Sequence, residues 1–197
     1  MLIDLLRHGE TETPGRLLGR SDPPLSEQGW RQFERQTQGR TWDLIVASPR
    51  LRARAPAECL AGEAGVAWSI DVDWAEVDFG DWDGRELAAL REDTATAAAL
   101  AALYSSPDAP GAPGGENWHD LSARVGRALD RLLATPAEHL LVVTHAGPMR
   151  AALALACGLP FANLWGFTIN TGTRITLRVG RDDRAGLWGE IVEIVQP

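Results

Sequence analysis

The sequence predicts an α/β fold, a three-layer sandwich in which a mostly parallel sheet is flanked by helices. Three observations predict it. Short, near-continuous apolar runs alternate with longer amphipathic segments, the βαβα order of a sheet covered on both faces. The runs are apolar throughout rather than alternating, as in parallel strands buried on both sides. Several of them end in Gly and polar residues, where open α/β sheets place their ligands.

Taken in order, Leu2–Leu6 reads as a buried strand, and Ser26–Arg40 as a helix with Ser26 as N-cap. Asp43–Ala47 is a second strand. Leu51–Glu63 is a helix followed by Gly65, and Ala67–Val72 is a third strand. Glu86–Tyr104 is Ala/Leu-rich and reads as one helix, and Pro107–Gly115 is a breaker-rich loop. Glu116–Ala134 carries Leu121, Val125, Leu129 and Leu132 at helical spacing, with the Glu116 carboxylate suited to a helix start. His139–Thr144 is a strand, Pro148–Cys157 a helix closed by Gly158. Arg174–Val179 and Leu187–Val195 form a closing strand pair around the turn residues Gly180–Gly186. The expected organisation is one domain over residues 1–197, with a helical excursion at about 84–115 read as a cap.

Composition narrows the function. The 197 residues carry a formal charge of −8 with 45% hydrophobic residues, which suits a core-forming chain and argues against binding nucleic acid or an anionic membrane surface. All 19 basic residues are Arg, so a P-loop lysine, a Schiff base and a lysine general base are excluded. Cys59 and Cys157 are far apart in apolar, helix-like surroundings; they read as buried free thiols, and no metal site is expected. The start of the chain lacks a signal-peptide pattern and no apolar run reaches the ~18 residues of a membrane span, so the reading is cytoplasmic.

Three strand ends carry residues suited to phosphate. Arg7-His8-Gly9-Glu10-Thr11 follows the first, Ser48-Pro49-Arg50-Leu51-Arg52 the second, and His145-Ala146-Gly147 the strand His139–Thr144. If these strands are adjacent, two imidazoles and two guanidiniums meet in one crevice. Arg offers a planar, always charged fork matched to phosphate oxygens. Gly9 and Gly147 allow close backbone approach. Trp74 to Gly84 adds four carboxylates (Glu76, Asp78, Asp81, Asp83), and phosphoryl transfer needs one acid to protonate the departing oxygen. Composition alone leaves open which of the four does so.

The motifs together resemble the histidine phosphatase superfamily, the phosphoglycerate-mutase-like family. Leu6-Arg7-His8-Gly9-Glu10-Thr11 is similar to its signature, and Gly15 to Ser26 (GRLLGRSDPPLS) to the segment that follows. Ser48 to Ala53 resembles the second-arginine motif, Glu76 to Gly84 the acid-bearing motif, and Gly114-Gly115-Glu116 with Arg124-Val125 the region after the cap. Thr144-His145-Ala146-Gly147 resembles the second-histidine motif. The resemblance implies a phosphoglycerate-mutase-like fold with a small helical cap. It implies His8 as the nucleophile that becomes phosphohistidine, Arg7, Arg52 and His145 as phosphoryl ligands, and Glu76 as proton donor and acceptor. It implies no metal and no cofactor. An Asn that the family often places soon after the signature is missing; Pro14 stands there, with Thr13, Arg16 and Gly147 as further candidate substrate contacts.

The function this implies is metal-independent hydrolysis of a small phosphorylated metabolite. Within the family, the compact length and the GRLLGRSDPPLS segment most resemble the α-ribazole-5′-phosphate phosphatases of cobalamin biosynthesis. A phosphoglycerate mutase, a broad-specificity phosphatase and a non-catalytic phosphate-binding module are the alternatives. The absence of lysine and a cap holding only Arg85 and Arg91 as bases favour the hydrolase over the mutase. His119 and His139 read as surface or structural, and Trp82, Tyr104 and Trp118 as candidate cap lining. The closing strand Leu187–Val195 is an edge on which a second copy could pair, making a homodimer.

Overall fold

The computed structural model describes residues 1–182 and 186–197. In chain order the elements are β1 (Leu2–Arg7), α1 (Glu27–Thr37), β2 (Leu44–Ala47), α2 (Leu51–Ala64) and β3 (Trp68–Ile70). Then come α3 (Leu87–Glu92), α4 (Thr94–Ser105), α5 (Trp118–Leu133), β4 (His139–Thr144), α6 (Ala146–Cys157), β5 (Arg174–Asp182) and β6 (Gly186–Val195). The six strands form one sheet in the order β3-β2-β4-β1-β5-β6. The first four are mutually parallel, while β5 runs antiparallel to β1 and β6 antiparallel to β5.

The apolar runs become strands because both of their faces are covered. Ile3, Leu5, Leu140 and Val142 point to one side and pack with Leu121, Val125 and Leu129 of α5 and with Met149 and Leu153 of α6. Leu6, Ile45, Leu141 and Val143 point to the other and pack with Phe33 of α1 and with Ala53, Ala57 and Ala61 of α2. These are the three layers of an α/β sandwich. A smaller cluster of Leu17, Trp82, Leu90, Leu100 and Ala112 forms beneath α3 and α4.

Local chemistry sets the boundaries, and several differ from expectation. Ser26 caps α1 as expected, accepting from Gly29 N–H, but that helix stops at Thr37 rather than Arg40. The third strand shrinks to Trp68–Ile70, because the Asp71 carboxylate accepts from Asp73 N–H and turns the chain into a 3₁₀ turn over Val72–Trp74. The single helix expected over Glu86–Tyr104 is two, broken at Asp93, whose side chain caps α4 through Thr96 N–H. Glu116 does not begin α5: Asn117 is its N-cap, in a capping box with Asp120. Cys59 is exposed and Cys157 half-buried, so neither is the fully buried thiol expected. The closing strand pair is present, and its expected turn includes residues 183–185, which lie outside the described residues. Among the described residues, no helix is long and apolar enough to cross a membrane.

Candidate active site

Parallel register brings the three motif-bearing strand ends side by side. Arg7 is level with Thr144, and Ala47 with Val143. The ladder continues one residue further, with His8 N–H donating to Thr144 O and Ser48 N–H to Val143 O, both at 2.9 Å. The residues that follow β1, β2 and β4 therefore share one end of the sheet, as the sequence predicts.

His8 is buried, and its ring Nδ1 lies 2.7 Å from Gly9 O. A carbonyl can only accept, so Nδ1 carries the proton and Nε2 keeps its lone pair. Burial, then the charges of Arg7 and Arg52, hold this imidazole well below its ordinary value of 6.5. The turn that aims it is fixed by backbone contact. A Cβ at Gly9 would stand 2.0 Å from Gly29 O, and one at Gly29 would stand 2.0 Å from Glu10 O. The signature loop therefore lies directly on the first turn of α1.

His145 lies across from it, ring centroids 5.0 Å apart. It is the residue immediately before α6, which starts two residues earlier than expected. Ser48 Oγ accepts from Arg50 N–H at 3.2 Å and lies 2.7 Å from His145 Nε2. Where the serine donates to Nε2, the imidazole hydrogen sits on Nδ1. His145 Nδ1 is buried and has no partner among the described residues. Burial first, then Arg52, His8 and Arg7, hold His145 well below 6.5.

The two arginines present different edges. Arg7 donates from one terminal nitrogen to Ile169 O at 2.7 Å, and its buried Nε has no partner among the described residues. Arg52 is fully buried, and its terminal nitrogens hold the loop before α1 through Ser21 O at 2.9 Å and Leu18 O at 2.5 Å. It also pairs with Asp22 at 3.4 Å. Its Nε–H faces the site and donates to His8 Nε2 at 3.3 Å.

Glu76 comes from the irregular chain after β3. Its Oε1 accepts from its neighbour Val77 N–H at 3.0 Å and from Gly147 N–H at 3.1 Å. Glycine at 147 leaves room for this contact: a Cβ there would lie 2.5 Å from that carboxylate oxygen and 2.6 Å from Val77 Cγ2, so one of them would have to move. The charge of Glu76 reaches Arg7, Arg52 and Arg150 and opposes the effect of their burial.

These groups border a cavity of about 520 Å³. Arg7, His8, Glu76 and Gly147 line it, as do Thr13, Pro14 and Arg16, whereas Arg52 and His145 lie beneath the lining. The Arg16 guanidinium turns to the cap instead, donating to Gly84 O and to Glu86 at 2.8 Å each. Asp83 serves the loop: it accepts from the amides of Gly19, Arg20 and Ser21. His119 pairs with exposed Asp108, and His139 with buried Asp4, both away from the cavity. Tyr104 and Trp118 line the cavity, whereas Trp82 is packed in the cap cluster.

Sequence reasoning missed Arg150. Its guanidinium lies 4.4 Å from the centre of the Trp165 ring, and that ring meets Tyr104 edge-to-face at 4.8 Å. Nothing local flags it: one Arg on the Ala-rich α6 reads as an exposed turn. Its position seven residues before Cys157, on the helix that leaves His145, becomes informative only when the far wall of the cavity is known.

A family model described as the histidine phosphatase superfamily (branch 1) matches residues 3–188. The chain belongs to that superfamily. This member is 30% identical over 178 residues to the adenosylcobalamin/alpha-ribazole phosphatase of Salmonella typhimurium, covering 87% of each chain. It is 34% identical over 159 residues to a bifunctional protein of Mycobacterium tuberculosis, covering 77% of this chain and 43% of that one. The chain thus spans less than half the length of that relative. Among solved structures, a mycobacterial glucosyl-3-phosphoglycerate phosphatase superimposes with a TM-score of 0.83 at 28% identity over 96% of both chains. That enzyme has also been solved with inorganic phosphate.

Proposed function

We propose that this protein is a phosphomonoesterase that hydrolyses a small phosphorylated metabolite through a phosphohistidine at His8, without a metal ion. The observation that carries the reading is the state of His8: a neutral ring whose Nδ1 is held by Gly9 O, so that Nε2 is nucleophilic.

In the first step the Nε2 lone pair of His8 attacks phosphorus and the ester P–O bond breaks. The departing oxygen takes the proton of Glu76, so the alcohol leaves neutral. In the second step a water oxygen attacks the phosphoryl group and gives a proton to Glu76. The P–N bond breaks, and its electron pair returns to His8 as inorganic phosphate forms. The transition state spreads charge over three equatorial oxygens, so fixed positive donors supply most of the catalysis. Arg7 Nε and Arg52 Nε are those donors, and the neutral His145 ring adds its Nδ1 N–H. Among the described residues, Arg7 Nε and His145 Nδ1 have no partner. General acid help from Glu76 is worth about 100- to 10,000-fold.

The leaving group would occupy the cavity between the phosphoryl site and the excursion at about 84–115, which we read as a cap. Tyr104, Trp118 and Trp165 line it with aromatic rings, which suits a flat or apolar moiety such as the ribazole of the Salmonella relative's substrate. Arg150 favours a second class, phosphorylated hydroxy acids, whose carboxylate its guanidinium could take, as in the substrate named for the mycobacterial neighbour. Thr13 is a further candidate substrate contact.

The test is a kinetic screen of phosphorylated metabolites that includes α-ribazole phosphate, glucosyl-3-phosphoglycerate and 3-phosphoglycerate, with and without EDTA. Release of inorganic phosphate unaffected by EDTA supports the reading. Conversion of 3-phosphoglycerate to 2-phosphoglycerate would make it a mutase instead, and loss of activity in EDTA would end the metal-free claim.

A further inference from the structure

The segment that carries Glu76 has no strand or α-helix of its own. From Asp71 to Asp83 the chain makes only two 3₁₀ turns, yet a proton donor must be held to a fraction of an ångström. The distances show what holds it. Arg124, on α5, donates from one terminal nitrogen to Asp73 O and Ala75 O, both at 2.7 Å. Its other terminal nitrogen donates to Glu76 O at 3.2 Å and to Glu116 Oε1 at 2.5 Å, and its Nε donates to Glu116 Oε2 at 3.0 Å. All five N–H groups of the guanidinium are therefore used within the protein. Glu116 closes the other side of the acid: its Oε1 accepts from Asp78 N–H, and its own N–H donates to Asp78 O, both at 3.0 Å. The pair is largely buried, with side-chain exposures of 13% and 15%.

We infer that Arg124 and Glu116 are positioning residues that hold Glu76 in register for proton transfer by gripping the backbone on both sides of it. They bracket the acid from residue 73 to residue 78 and act through the main chain: Arg124 has no donor left for substrate, and the Glu116 carboxylate, at the cavity wall, is taken by Arg124 and Asp78 N–H. Lysine cannot substitute for Arg124: its three donors radiate from a single point, whereas four carbonyl or carboxylate groups must be met in one plane. The inference rests on the proposed role of Glu76 as the acid.

The test separates leaving-group protonation from general loss of structure. kcat/KM is measured for phenyl phosphate, whose leaving oxygen needs a proton, and for 2,4-dinitrophenyl phosphate, whose leaving oxygen does not. This ratio of constants stops at the first step and is blind to the later attack of water. Wild type, Glu76→Gln, Arg124→Lys and Glu116→Gln are compared, the last as the mildest change should Arg124→Lys fold poorly. Arg124→Lys and Glu116→Gln are expected to lose on the order of 10- to 100-fold more on phenyl phosphate than on the dinitrophenyl ester. Added to Glu76→Gln, Arg124→Lys should deepen that difference no further. Equal loss on both esters, or no loss, in variants beside a steep Glu76→Gln overturns the positioning role alone. A Glu76→Gln variant that treats both esters alike overturns the acid assignment, and the inference with it.

Discussion

Glu76 and Gly147, seventy-one positions apart, meet where the carboxylate Oε1 accepts the amide of Gly147 at 3.1 Å, and a single methyl group at 147 would stand 2.5 Å from that oxygen. The second-histidine motif thus supplies a backbone docking point for the acid as well as a ring.

That contact makes Gly147→Ala informative. The groups in the way are a carboxylate and a Val77 methyl, which move more easily than backbone. Alanine at an early helix position is otherwise favourable by up to about 1 kcal/mol. The expected outcome is a melting temperature within a few degrees of wild type and a fall in kcat of about 100-fold. Unfolding calorimetry and steady-state kinetics on one aryl phosphate check both. Full activity would mean that the acid is not seated there.

Two buried neutral histidines give stability a definite pH dependence. His8 and His145 are both held well below 6.5 in the native state, while in the unfolded chain they take up protons near that value. Below about pH 6.5 the unfolded state binds more protons, so stability falls with acid; above it the two states match and the effect vanishes. The carboxylates held below their ordinary value act lower, near and under pH 4. Between pH 7 and 5, urea midpoints should drop for wild type, and His145→Asn should remove about one proton from the slope. An unchanged slope would contradict the neutral assignment.

Much of this site was legible because parallel strands put their loops on one edge. If the apolar runs that became β1, β2 and β4 are adjacent, the residues after each share one crevice, which brings Arg7, His8, Arg52 and His145 together; their roles came from the family resemblance. Glu76 was harder: four carboxylates share its segment and composition does not choose among them; the resemblance does, and the Gly147 contact and the Arg124 grip are how it is seated. The break at Asp93 was hidden because LAALRE before it and TATAAALAAL after it are both of helical composition, and only a capping side chain marks the break. Thr13 and Arg16 were named to cover for the Asn that Pro14 replaces. Thr13 lines the cavity, whereas the Arg16 guanidinium ties the loop to the cap, since Glu86 offers it a nearer anion. Arg150 and Ser48 act through contacts between elements distant in sequence, which no local pattern encodes.

Arg150→Met should separate binding from chemistry. Its guanidinium lies over the Trp165 ring, 4.4 Å from its centre, in the wall of the cavity. KM for a substrate whose leaving group bears a carboxylate should rise about 10-fold, roughly the 1.4 kcal/mol of a modest charged contact, with kcat nearly constant. Phenyl phosphate should be unaffected. An equal rise for both would place Arg150 at the phosphoryl group instead.

Asp4 offers a control at the opposite end of β1. It is fully buried and accepts from Trp42 at 2.8 Å and Thr176 at 2.5 Å, with Arg174 at 3.2 Å. Burial pushes its carboxyl up, but the hydrogen bonds from Thr176 and Trp42 and the charge of Arg174 outweigh this and hold it below the ordinary value. Asp4→Ala leaves Trp42 and Thr176 without their acceptor and buried Arg174 with Glu193 as its remaining carboxylate partner, and should cost about 3 kcal/mol, read by urea denaturation. Below the melting temperature, kcat should stay within twofold of wild type; a large selective loss would link this network to the site.

The most direct measurement is to quench turnover of a 32P-labelled phosphomonoester and map the labelled residue. The expected result is one phosphoryl group on His8, stable in base, labile in acid, and absent from His8→Ala together with activity. No phosphoenzyme on the wild type, or undiminished hydrolysis by His8→Ala, would contradict the account at its centre.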